Sequence, residues 1–331
     1  MRVYFWLALT LVSTFLLICV GATVGDYPLD LSTVLSVIWG GGTPIERAVV
    51  LDLRLGRGIV GAAVGACLAY SGALTQSVAR NPLASPDILG ITNGASLAAA
   101  LVIVFGSSGS IVSTSIGIPL AAVCGSLVTA LVIWLIAGRA RRDLMRLVLI
   151  GVGVSIFLSA LTTWLLAWAE LDRAIEARMW LTGSLNGRDY SNAWAPLLVL
   201  FFAVAAAGWL AFQLAALSLG ETTAHVLGHH VPLAQAAQLL TAVALAAVAV
   251  SAAGPISFLA FVTPQIARRL AGTPTPPLLL SASTGALLLV GADLCTRVVV
   301  PWELPVGVLT AFLGAPVLLY LLLTGNRKAR A

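Results

Sequence analysis

The stretch LSLGETTAHVLGHHV, residues 217–231, gathers the chain's only three histidines, His225, His229 and His230, with an isolated Glu221 between two long apolar segments. Imidazole and carboxylate are metal-ligand types, yet in so short a polar run they read as a solvated face. Ser218 and Glu221 have instead the S-x-x-E spacing of a capping box, in which each side chain satisfies a backbone N–H at a helix start. Gly228 is placed to stop that helix. The spacing predicts a stiff helix of about two turns, too short to cross a bilayer. Other reactive groups are sparse. Cys19, Cys67, Cys124 and Cys295 fall within or at the ends of apolar runs and form no CxxC pair, which supports neither a disulfide framework nor a metal site. HExxH, G-x-S-x-G and paired mid-membrane carboxylates are lacking, so an intramembrane enzyme is disfavoured.

The sequence also bears on energy supply. The only lysine is Lys328, in the tail GNRKARA, whereas a nucleotide-binding P-loop needs Gly-x4-Gly-Lys-Ser/Thr. The chain is therefore expected to have no catalytic residue, no metal and no cofactor of its own. Ion-coupled carriers bury ionisable groups at mid-membrane. The apolar runs here hold no Asp, Glu, Arg or Lys, with Asp293 and Glu303 placed at span ends. A secondary carrier working alone is thus the weaker reading. If this chain pumps, another polypeptide burns the fuel.

The elements that hold these residues follow from composition. The chain has 331 residues, 60% of them hydrophobic and 9% charged, with a mean hydropathy of +1.02. Soluble domains carry roughly 25% charged residues, so this is an all-α, polytopic membrane protein forming one domain over residues 1–331. Apolar runs of about 20 residues each supply a span: 5–24, 58–79, 147–169, 190–219, 270–292 and 304–326. Runs 88–138 and 226–267 supply two each, broken near 106–110 and at Gly254-Pro255. That predicts ten transmembrane helices. The first run, behind a single Arg, reads as a span rather than a cleaved leader. Short loops rich in Arg and Lys stay in the cytoplasm. Placing both termini inside puts Arg2, Arg80, Arg139, Arg141, Arg142, Arg146, Arg268, Arg269, Arg327, Lys328 and Arg330 there, against only Asp87, Asp143 and Glu221. The basic balance reflects topology and gives no reason to invoke nucleic acid.

Several stretches carry a resemblance. They are RLGRGIVGAAVGACLAYSGALTQSVARNPLASPDILGITNGAS (54–96), SLGETTAHVLG (218–228), AGPISFLAFVTPQIARRLAG (253–272) and ELPVGVLTAFLGAP (303–316). From about Arg54 to the C-terminus the chain resembles the permease subunits of ABC importers for iron chelates and cobalamin, most of all the ferric-enterobactin type. The resemblance implies an assembly in the cytoplasmic (inner) membrane. Its parts are two permeases, favoured here as a heterodimer, two cytoplasmic ATPases that bind ATP and Mg, and one extracytoplasmic substrate-binding protein. It implies a ferric siderophore as cargo, with cobalamin or haem as alternatives.

It also implies roles for residues. The segment 217–230, between spans six and seven, corresponds to the ATPase-coupling helix, with Ser218, Leu219, Gly220, Glu221, Thr222 and Thr223 at its core. Arg54, Arg57 and Arg297 match arginines that grip carboxylates of the binding protein, a task suited to a planar guanidinium fork. Gly56 stands where the family has Pro, which is expected to loosen that turn. Asn81, Leu83, Leu144, Met145 and Leu149 match the cytoplasmic gate. Candidates for the pathway lining are Gln76, Thr92, Asn93, Ser155, Ser159 and Thr162. Gly254-Pro255 and Pro264 are expected to break the eighth span, and Gln265 replaces the family's His. Gly61, Gly65, Ala69 and Gly72 read as a packing stripe.

Overall fold

The computed structural model describes residues 1–25, 27, 29–87, 90–106, 117–138, 144–299 and 304–328. The chain runs through α1 (Arg2–Thr23), α2 (Leu31–Ile38) and α3 (Pro44–Arg47), then a π-helical stretch, Ala48–Leu55, that continues directly into α4 (Gly56–Ala79). There follow α5 (Ile91–Phe105), α6 (Gly117–Ala137), α7 (Leu144–Trp168), α8 (Leu171–Leu181), α9 (Tyr190–Ala205), α10 (Ala207–Ser218) and α11 (Glu221–Val226). The last four are α12 (Val231–Ala253), α13 (Leu259–Ala271), α14 (Leu278–Val299) and α15 (Val306–Lys328). No strand occurs among the described residues.

Among the described residues, six helical runs are individually long and apolar enough to cross a membrane: α1, residues 44–79, α6, α7, α12 and α14. The pair α9–α10, bent by 58°, makes a seventh if it is one span. α5 and α13 have 15 and 13 residues, short of the ~20 that a straight crossing needs. The predicted ninth span is displaced. It begins at Leu278, because Gly272 ends α13 in the left-handed region (φ 71°) and prolines 274, 276 and 277 follow. The eighth breaks only where Gly254-Pro255 leaves the helix; Pro264 lies inside a continuous α13. Its missing N–H forgoes the bond to Ala260 O, and the helix continues to Ala271 all the same.

The core is built around α4. The span that contains it is 89% buried, against 11% for α1 and 17% for α7. Lipid tails are as apolar as Leu, so helices in a bilayer associate by close packing rather than by hiding grease from water. The stripe of small residues does this. A methyl group on Gly65 would overlap the Gly285 carbonyl, and one on Gly72 would overlap the Ala260 carbonyl. Side chains of α4 also bond to neighbouring backbone: Tyr70 Oη–H donates to Ala203 O at 2.9 Å, Ser71 Oγ–H to Ala242 O at 2.7 Å and Gln76 Nε2–H to Phe261 O at 2.9 Å. Each gives a buried polar group its partner.

Candidate functional site

Three features lie along the axis of the bundle. At the end where α4 and α13 finish and α12 begins, α11 sits as a short outlying helix. Ala224, fully buried, packs with Ala216, Leu217, Val231 and Ala234. The Arg80 guanidinium donates to Leu217 O at 2.7 Å, and the Gln235 amide to the Glu221 carboxylate at 3.0 Å. Gly228, at φ 87°, closes the helix. Its N–H bonds His225 O and the His229 N–H bonds Ala224 O, each at 3.0 Å, the paired pattern of a Schellman stop. The expected capping box does not form. α10 runs on to Ser218, whose hydroxyl turns back to Ala215 O at 2.6 Å, and Gly220 takes the N-cap position. α11 is accordingly six residues long. The helix and its flanking caps expose Leu219 (62%), Val226 (81%) and Leu227 (60%), with Thr222 and Thr223 also exposed.

The histidines part company here. His225 and His230 are exposed, but His229 Nδ1 lies 2.7 Å from Gln213 Oε1 and its ring packs on Phe212 at 5.0 Å. His229 is thus held in the α10 corner rather than solvated. No cluster of three metal-ligating side chains occurs among the described residues.

On one flank of the bundle, a cavity of about 640 Å³ lies between residues 83–87 and 92–96, α7, α8 and the segment 255–261. Thr92, Asn93, Ser159 and Thr162 line it as expected, together with Ser85, Ser96, Thr163 and Ser257. Gln76 does not: it is buried behind the wall, bonded to Phe261 O and to the Gln265 amide. Ser155 also lies behind it, its hydroxyl 3.5 Å from Asp87 O. Of the expected gate, Leu83 reaches the cavity. Asn81 accepts from the Leu83 N–H at 2.9 Å, and Leu149 is exposed on α7 away from the lining. The side chains of Leu144 and Met145 fall outside the described residues. Two charges missed in the sequence complete the lining, Asp87 in the segment between α4 and α5 and Arg178 on α8. Desolvation holds the Asp87 pKa above the usual carboxylate range, while a hydrogen bond from the Thr92 hydroxyl pulls it down. Both charges lie outside the apolar runs, so a scan of those runs for charge passes over them.

The opposite end carries the arginines. The Arg57 Nε and Nη2 grip the Asp293 carboxylate at 3.1 and 2.8 Å, and Arg297 Nε lies 3.3 Å from its other oxygen. Arg297 Nη1 also donates to Gly21 O at 3.2 Å. Arg54 is only 8% exposed, and its guanidinium serves Ala22 O, at 2.9 Å, and Tyr27 O. Two arginines therefore satisfy carbonyls at the end of α1, where a helix has no partners of its own. Asp293, placed at a span end by the sequence, lies inside α14, which extends to Val299. Gly56 loosens nothing: it is helical (φ −53°, ψ −52°), and its bare Cα lets the Asp189 and Tyr190 backbone pack against α4.

A multi-pass helical bundle with a filled centre and a polar cavity along one flank has the build of a transport permease. The comparisons agree. The model of the FecCD transport family matches residues 11–324. The ferric enterobactin transport system permease protein FepG of Escherichia coli (strain K12) is 39% identical over 93% of this chain and 92% of that protein. Its counterpart FepD from the same organism is 36% identical over 98% and 94%. A solved metal-chelate type ABC transporter in an inward-facing conformation superposes with a TM-score of 0.81 at 27% identity, covering 97% of this chain and 98% of that one. The chain belongs to the FecCD transport family.

Proposed function

We propose that this chain is a permease subunit of an ABC importer carrying a ferric siderophore across the cytoplasmic membrane. It hydrolyses nothing itself; ATP is bound and cleaved by a separate subunit. Ten crossings are reached by counting α5, α13 and α15 with the seven apolar runs, α13 being extended by the non-helical residues 254–257. Both termini and α11 then face the cytoplasm, and the Arg57 end faces outward. FepG and FepD are named as permeases of one ferric enterobactin system, which supports a second, different permease as partner here. Arg57 and Arg297 lie where an extracytoplasmic binding protein would land its carboxylates, with Arg54 bracing α1 beneath them.

The observation that carries this reading is α11 itself. Pinned by buried Ala224 and by Arg80, it offers Leu219, Val226 and Leu227 to something outside the chain. A short anchored helix with apolar groups outward can pass on a push from an ATPase groove. Inserting Gly after Thr223 is expected to abolish ATP-driven uptake of the chelate while the permease still assembles in the membrane. Uptake at the unaltered rate in reconstituted vesicles would refute coupling through α11.

A further inference from the structure

One arginine at the Arg57 end takes no part in the Asp293 clamp. Arg188 lies in the segment 182–189 between α8 and α9, and that segment is pinned. The Ser184 N–H donates to Ala253 O at 2.8 Å, and the Gly307 N–H to Gly183 O at 3.0 Å. Asn186 Oδ1 lies 3.5 Å from Arg57 Nη1, and a Cβ on Gly56 would stand 3.3 Å from Asp189 Cα. Arg188 is therefore held beside the first turn of α4.

One of its donors is unmatched. The Arg188 Nε is buried and has no hydrogen-bond acceptor. The neighbouring acid is occupied: Asp189 caps α9, accepting from the Ser191 N–H at 2.9 Å and from the Ser191 hydroxyl. Those bonds, the hydroxyl's first, hold the Asp189 pKa below the usual range; burial lowers that of Arg188, and the nearby Asp189 charge offsets part of this. A buried guanidinium N–H without an acceptor is costly, and Arg188 as a whole is only half-buried, so part of its surface stays open to a partner. α4 is the central helix, so Arg188 overlies the middle of the bundle rather than its lipid perimeter. The acceptor then belongs to a macromolecule landing on this end.

We infer that Arg188, beside Arg57, is a docking residue that takes a surface carboxylate of the extracytoplasmic binding protein. This rests on the docking reading above. The test uses the complete transporter, with its ATPases, in lipid nanodiscs and its purified binding protein. R188Q is expected to raise the Kd for the binding protein about ten-fold or more, as loss of a charged hydrogen bond does. It is also expected to flatten the salt dependence of binding, while ATPase activity without binding protein stays unchanged. R188K should recover only part of the affinity, because an ammonium cannot present the fork. Unchanged Kd in R188Q, or full affinity in R188K, overturns the inference. So does an equal loss of ATPase activity with and without binding protein, which assigns Arg188 to packing or to lipid headgroups. If the unaltered transporter fails to bind the protein at all, the docking reading falls, and this inference with it.

Discussion

Asp293 has a side chain only 3% exposed and two arginines on it. Removing one partner of a buried ion pair leaves the others uncompensated and typically costs about 3–5 kcal/mol. Asp293→Ala is therefore expected to lower the Tm of the detergent-solubilised permease by several degrees, with Asp293→Glu recovering part of it. An unchanged melting curve would show that water already screens the cluster. The sequence supplied the three arginines but not their use. Arg54 and Arg57 are both basic residues just before a span, and only the fold reveals that one faces the end of α1 and the other α14. Arg188 escaped notice for the same reason. Nothing in GSLNGRDY tells a rim cation from a loop cation until the Gly56–Asp189 contact brings the two segments together.

Among elements, α4 was the most legible, because its Gly-x3-Gly-x3-Ala-x2-Gly spacing is visible in the chain and means the same thing in the fold. Gly72→Val should be the severest change in that stripe. The added side chain meets the Ala260 backbone, which cannot yield as a flexible tip would, and overpacking of this kind costs about 1–3 kcal/mol or more. The expected outcome is loss of folded permease in membranes, whereas Gly153→Val on α7, with open space around it, should accumulate normally. Equal yields of both variants would contradict the close-packed centre. Boundaries were less legible than cores. S-x-x-E pointed to a helix start at Ser218, yet the same serine suits the last turn of α10, and local spacing cannot choose between the two. Only where α10 stops decides, and that depends on Leu214, Ala216 and Leu217 being buried in the bundle.

For the molecule as a whole, the flank cavity was half legible. Thr92, Asn93, Ser159 and Thr162 stood out as hydroxyl or amide groups within apolar runs. Gln76 and Ser155 looked identical in sequence but point at backbone carbonyls. Filling the cavity should separate transport from assembly. Ser159→Leu combined with Thr162→Leu is expected to cut chelate uptake at least about ten-fold, a barrier increase of about 1.4 kcal/mol, with ATPase partners still co-purifying. Normal uptake by that double variant would move the route elsewhere. The crowding around α4 has one more implication. A cylinder plugged along its own axis is no pipe, and all it can lend a travelling solute is a gutter down one side. A gutter becomes watertight only when roofed, so a solitary copy in a bilayer should neither leak nor carry anything, however much fuel surrounds it.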